Sequence, residues 1–226
     1  MESHVLDNSV WKALSGPQAD LAEVYGRARR FPIDISPFAA VADQDDVECW
    51  KDLANLVGPG GTVVLTGREL NVPESWEKLG GGFGKQMIGE AVLGQPDEEA
   101  IELGPEDVPE MLNLVARTEP GPFLHRTVEL GGYLGLRING DLVAMAGRRI
   151  HPPGWIEISA VCTDPAHQGK GLARRLVNAV VAGIRADGDI PFLHVAETNE
   201  NAIRLYEKMG FTIRTRGGFQ ALNVPN

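Results

Sequence analysis

The segment Val161-Cys162-Thr163-Asp164-Pro165-Ala166-His167-Gln168-Gly169-Lys170-Gly171-Leu172-Ala173-Arg174 joins an apolar strand pattern to a helical one through a turn with two glycines. A helix N-terminus presents four N–H groups without intrahelical partners and about half a positive charge, which suits an anion. Gly169 and Gly171 carry no side chain to hold a diphosphate away from the backbone. Leu172, Ala173, Leu176, Val177, Val180, Val181 and Ile184 form one apolar stripe along the helix that follows. Two familiar phosphate patterns are excluded. No Gly-Lys pair is followed by Ser or Thr, and Arg174 stands where a dinucleotide fingerprint needs its third glycine.

A second segment lies downstream. Phe192–Ala196 reads as a strand running into a helix that Thr198 or Asn199 can cap. Ala202, Leu205, Tyr206 and Met209 share a face at helical spacing, and Gly210 sits where a C-terminal cap glycine belongs. Together the two segments resemble the GNAT superfamily of N-acetyltransferases. The family's signature Gln/Arg-x-x-Gly-x-Gly/Ala is matched by Gln168, Gly171 and Ala173. Its second motif, Asn-x-x-Ala-x-x-Leu-Tyr-x-x-x-Gly-Phe, is matched in order by Asn199, Ala202, Leu205, Tyr206, Gly210 and Phe211. The resemblance covers residues 98–222, just over half of the chain.

The resemblance implies an α+β, three-layer fold: a central mixed, mostly antiparallel sheet with helices on both faces. No metal is expected, since no cluster of His, Cys or carboxylates has ligand spacing. The resemblance implies acetyl-CoA as co-substrate. The amides of Gln168, Gly169, Lys170, Gly171, Leu172, Ala173 and Arg174 would cradle its pyrophosphate. Val161, Cys162 and Thr163 would line the pantetheine arm, with Asn199 beside them. A backbone N–H near Val161, where family members splay two strands apart, would receive the developing oxyanion.

Acyl transfer from a thioester to an amine sets two further tasks. The leaving thiolate, of pKa ~8.5 as the thiol, needs a proton, and a nearby phenol of pKa ~10 can lend one. Tyr206 is expected in that role. The acceptor ammonium must lose a proton, and Glu157 is the expected base. It lies on the strand leading to the glycine turn, four residues before Val161, so strand alternation puts both on one face. An exposed strand carboxylate is the bland alternative for Glu157. Glu197 is a weaker rival for the base; His151 is expected to be incidental, and His167, within the glycine turn, to flank the phosphates or solvent. Cys162 lacks a visible partner that would make it a nucleophile.

The elements that must position these groups divide at residues 96/97 into an N-terminal α/β lobe, 1–96, and an acetyltransferase domain, 97–226. In the lobe, the pattern predicts a helix over Val10–Arg29, a strand at Phe38–Ala42, a helix at Val47–Leu56 and a strand at Thr62–Thr66. Leu79–Lys85, with four glycines, reads as a mobile loop, Gln86–Leu93 as a strand, and Gly94–Glu99 as a linker. In the second part, Ile101–Leu103 precedes a helix opened by Glu106 and Asp107. Tyr133–Ile138 and Leu142–Ile150 flank the hairpin signal Asn139-Gly140-Asp141, and Trp155–Thr163 follows. The two-part layout is similar to a GNAT subgroup related to glycine N-acyltransferases, whose N-terminal half is a degenerate copy or lid. That similarity makes residues 1–96 a candidate wall of the acceptor pocket, the bland alternative being a packing extension used in a homodimer.

Composition bounds the rest. The 226 residues carry a net charge of −10, with 15 of 31 acidic but only 8 of 21 basic residues in the first 97. A surface of this sign does not suit nucleic acid, which is bound by neutralising phosphates with Lys and Arg. It suits a cationic acceptor: a small-molecule amine, an amino acid or a peptide. No apolar run reaches the ~20 residues of a membrane span, no signal peptide is apparent, and two cysteines do not make a disulfide framework. A cytoplasmic enzyme is the expectation. A non-catalytic acyl-CoA sensor on the same fold is the alternative, which retention of Tyr206 disfavours.

Overall fold

The computed structural model describes residues 4–68 and 70–225. The first part of the chain supplies α1 (Ser9–Leu14), β1 (Glu23–Tyr25), β2 (Ala28–Arg30), β3 (Ala39–Val41), α2 (Val47–Val57), β4 (Thr62–Gly67) and β5 (Glu77–Ile88). The second supplies β6 (Ile101–Glu102), α3 (Val108–Thr118), β7 (Leu134–Ile138), β8 (Asp141–Arg148), β9 (Trp155–Thr163), α4 (Leu172–Ala186), β10 (Ile190–Ala196), α5 (Glu200–Lys208) and β11 (Thr212–Asn223).

Eight strands form one sheet in the order β4-β11-β5-β10-β9-β8-β7-β6, and β1-β2-β3 form a small second sheet. Every pairing in the large sheet is antiparallel except β9 with β10. Both faces are covered, which is why β8 and β9 are apolar almost without interruption. On one face α4 and α5 pack Leu176, Val180, Ile184 and Tyr206 against Ala144, Ile156 and Leu193. On the other, α3 packs Met111 and Leu114 against Met145 and Cys162. That second face also receives α1, whose Val10, Ala13 and Leu14 join Phe38, Trp155 and Phe192. The fold is the expected α+β arrangement of a mixed, mostly antiparallel sheet between helices.

Three local expectations are corrected. The helix predicted over Val10–Arg29 ends at Leu14, before Gly16-Pro17, and the following residues form the β1–β2 hairpin around Gly26, whose φ is +52°. The Leu79–Lys85 segment is not a mobile loop; it lies inside β5, paired with β11 and β10. Gly81 and Gly84 answer crowding, not flexibility. A Cβ on Gly81 would stand 2.4 Å from the Phe219 carbonyl oxygen, and one on Gly84 2.8 Å from that of Val195. The strand expected over Gln86–Leu93 stops at Ile88.

Because β4 and β5 both precede residue 97, the large sheet runs through the 96/97 division. The Gly94–Glu99 connection is itself pinned: Gln95 N donates to the Asn178 carbonyl, and Arg175 holds Asp97 at 2.7 and 2.8 Å.

Candidate functional site

The parallel pair β9–β10 is in register only from Trp155/Ile190 to Ile158/Leu193, after which the strands part. The parting coincides with a bulge in β9. Met145 pairs with Cys162 and Gly147 with Ser159, so Ala160 and Val161 together face Ala146. Ala160 takes φ +52°, a left-handed conformation that costs a non-glycine residue ~1–2 kcal/mol and is retained only where the surroundings enforce it. The extra residue removes Ala160 and Val161 from the antiparallel ladder, and both residues border the gap. It also interrupts the alternation expected to align Glu157 with Val161, although both residues border the same cavity.

That cavity has a volume of about 770 Å³ and lies where the strands diverge. Its walls come from both parts of the chain: Leu6, Phe38 and Gln86 from the first, Val161, Tyr206 and Arg214 from the second. The glycine turn stands at one end. Asp164 closes the turn by accepting from Ala166 N at 2.9 Å, and Gly169 and Gly171 adopt φ +76° and +78°. No side chain caps α4, because its N-cap residue is Gly171. The amides of its first turn therefore remain directed outward. No atom lies within 4 Å of where a Cβ would stand on either glycine. Lys170 and Arg174 are exposed beside them, and Lys170 Nζ sits 3.3 Å from His167 Nδ1. Between turn and cavity, the Thr163 hydroxyl is buried without a protein partner. An open helix tip and an orphaned hydroxyl fit a diphosphate followed by a polar arm.

Tyr206 of α5 also borders the cavity, 6% exposed and packed edge-on to Phe211 with ring centroids 5.9 Å apart. Burial alone pushes its phenol up to about 12, so it carries its proton at neutral pH. Asn199 caps α5, accepting from Ala202 N at 3.1 Å, and borders the cavity. Cys162 is buried against α3, and burial pushes its thiol up to about 11, the condition of an inert core cysteine.

Glu157 is not an exposed strand carboxylate. It is wholly buried, accepts Arg149 Nε and Nη2 at 2.8 and 2.9 Å, and accepts His194 Nδ1 at 2.7 Å. Desolvation raises its pKa, but the Arg149 charge and the His194 and Arg149 hydrogen bonds outweigh it and hold the carboxyl at about 2. A carboxylate so acidic has little affinity for a proton. The rival Glu197 is engaged by Arg216 at 2.7 and 3.0 Å, and His151 lies 3.1 Å from Asp189.

Several cavity groups went unnoticed in the sequence. Gln86 donates to the Leu6 carbonyl at 3.1 Å and lies 3.1 Å from His194 Nε2. Arg214 donates to Gln86 Oε1 at 2.7 Å and to Asp7 Oδ1 at 2.5 Å. The one available signal was His194, a polar residue interrupting the apolar pattern of Phe192–Ala196. Among the described residues no cluster of His, Cys, Asp and Glu could hold a metal ion, and no helix is long and apolar enough to cross a membrane.

Comparison with known proteins covers the same region. Residues 133–219 match the FR47-like protein family. The chain is 38% identical over 82 residues to the N-alpha-acetyltransferase RimI of Mycobacterium tuberculosis, a match covering 35% of this chain and 51% of that protein. It is 43% identical over 82 residues to the mycothiol acetyltransferase of Streptosporangium roseum, covering 36% of this chain and 23% of that protein. The chain thus spans about half of the first relative and under a quarter of the second. A GNAT-family crystal structure from Novosphingobium aromaticivorans is 38% identical, superposes with a TM-score of 0.91, and is matched over 99% of this chain and 100% of its own.

Proposed function

The chain belongs to the GNAT family of acetyltransferases, and on that premise we propose that it moves an acetyl group from acetyl-CoA to a primary amine of a small molecule, amino acid or peptide. One observation carries this reading. One cavity, where β9 and β10 part, is bordered by Pro165 and Gln168 of the turn that opens the uncapped helix α4 and by protonated Tyr206.

In this reading the amides from Gln168 to Arg174 hold the diphosphate, and the Thr163 hydroxyl and the backbone at Val161 receive the pantetheine arm. The bulge amides at Ala160–Val161, left outside the ladder at the edge of the cavity, stabilise the oxyanion. Tyr206 gives its proton to the departing thiolate. Leu6, Asp7 and Phe38 of the N-terminal lobe line the same cavity and in this reading contact the acceptor.

The relatives' names divide between an N-alpha amine and mycothiol, which defines two arms of a test. Thiol release from acetyl-CoA is measured with amino-acid amides, a diamine, an aminosugar, a peptide with a free N-terminus and the deacetylated form of mycothiol. The proposal expects release with at least one, and its loss in Tyr206→Phe. Acetyl-CoA binding with no release for any amine would favour a sensor.

A further inference from the structure

The amine must be deprotonated before it attacks, and Glu157 is too acidic and too enclosed to accept that proton itself. It does, however, hold a second group. We propose that His194 is the proton acceptor for the incoming amine, and that Glu157 and Gln86 are positioning residues that fix its tautomer and aim Nε2 into the cavity. The inference rests on the acetyltransferase reading and adds a residue to it.

The geometry decides the tautomer. Gln86 Oε1 accepts from Arg214 Nη1 at 2.7 Å, so the amide nitrogen of Gln86 is the atom facing His194 Nε2 at 3.1 Å. A donor facing Nε2 requires a lone pair there. Nδ1 then carries the hydrogen and donates to Glu157 Oε1 at 2.7 Å. The lone pair of the ring is then on Nε2, beside the Gln86 amide where both residues border the cavity, and the buried carboxylate on the other nitrogen is placed to stabilise an imidazolium. Glu157 is in turn fixed by both arms of Arg149. The His194 side chain is 32% exposed, on β10 just past the point where it leaves β9. It borders the same cavity as Tyr206 and Val161.

The proton balance closes. An N–H bond of the ammonium breaks and a bond to His194 Nε2 forms; the Gln86 amide, then facing a second donor, swings aside. The freed amine forms a C–N bond to the carbonyl carbon, and the C–S bond breaks with its electron pair on sulfur. That sulfur takes the Tyr206 proton, the second proton of the former ammonium restores the phenol through solvent, and His194 releases its own proton to solvent. The net products are amide, free thiol and one proton.

The charged groups facing His194 are Glu157 and, behind it, Arg149. Arg214 paired with Asp7 faces it through Gln86. These charges cancel in pairs, so the two direct contacts set the direction of each variant. Removing the Glu157 charge withdraws a contact that supports the imidazolium. Removing the Gln86 donor withdraws a contact that opposes it.

The test uses the full chain and the amine that gives the highest thiol release in the panel above. His194→Asn is expected to lower kcat/KM at neutral pH by ~10²–10⁴-fold, with the deficit shrinking as pH approaches the pKa of the amine. The acid limb of kcat/KM should move to lower pH in Glu157→Gln and to higher pH in Gln86→Met. A purely structural role does not shift the limb in opposite directions. Should Glu157→Gln fail to fold, nitrogen-15 NMR of the wild type still reads the tautomer: Nδ1–H is expected, and Nε2–H overturns the proposal. Wild-type release with an unchanged profile in His194→Asn sinks this inference and leaves the acetyltransferase reading standing. No release by the wild type with any amine overturns both.

Discussion

Arg149 places Nε and Nη2 on the two oxygens of Glu157, at 2.8 and 2.9 Å, across a carboxylate with no exposure to solvent. The guanidinium also stacks over Phe38, 4.8 Å from the ring centroid, so the pair joins the second half of the chain to the N-terminal lobe. Breaking such a pair from one side leaves a buried charge uncompensated. Arg149→Met should therefore cost ~3–5 kcal/mol in urea unfolding, and Arg149→Met combined with Glu157→Leu should recover most of it.

The same pair gives acid sensitivity. Glu157 is lowered from 4.5 to about 2 in the folded chain, so its contribution to stability is fully present above pH 4.5 and is lost as pH falls toward 2. Glu157→Gln should flatten the stability profile in that window, as followed by circular dichroism at a fixed urea concentration.

Tyr206→Phe removes a hydroxyl without changing the packing of α5 on Phe211. The expected result is a loss of ~10²-fold or more in kcat with coenzyme A affinity nearly unchanged. With the wild-type phenol at about 12, Tyr206 should impose no falling limb on the pH profile until pH nears that value. A fall centred near neutrality that disappears in Tyr206→Phe would contradict this assignment.

Gly171 lies at φ +78° with free space where its Cβ would stand, so any penalty at this site is conformational. Gly171→Val should strain or unwind the first turn of α4 by ~1–2 kcal/mol and weaken coenzyme A binding about tenfold by calorimetry. Unchanged affinity would remove the turn from the donor site.

The glycines of β5 separate two effects. Gly84→Val drives a side chain into the Val195 carbonyl and should part β5 from β10, lowering the urea midpoint sharply. Gly80 has open space and ordinary φ, so Gly80→Ala should be neutral or stabilising by ~0.4–1 kcal/mol.

Much of the second half was legible because its signals are local. The strand–turn–helix at Thr163–Leu172 and the capped helix at Asn199 are written in glycines, caps and periodicity within a few residues. β5 was not legible: the need for glycine at Gly81 and Gly84 arises from Phe219 and Val195, remote in sequence, so the run reads locally as a loop. The partners of Glu157 were hidden for the same reason. Alternation placed the carboxylate on a strand, but only the sheet order brings Arg149 from beyond β8 and His194 from β10 onto it. The bulge at Ala160 has no sequence mark; an alanine at positive φ is enforced by packing.

A crystal structure of the full chain with acetyl-CoA tests the central claim most directly. The diphosphate is predicted on the first-turn amides of α4, with the thioester in the gap between β9 and β10 and its sulfur within hydrogen-bonding reach of the Tyr206 hydroxyl. A thioester bound elsewhere, with that helix tip bare and Tyr206 walled off from the sulfur, would contradict it.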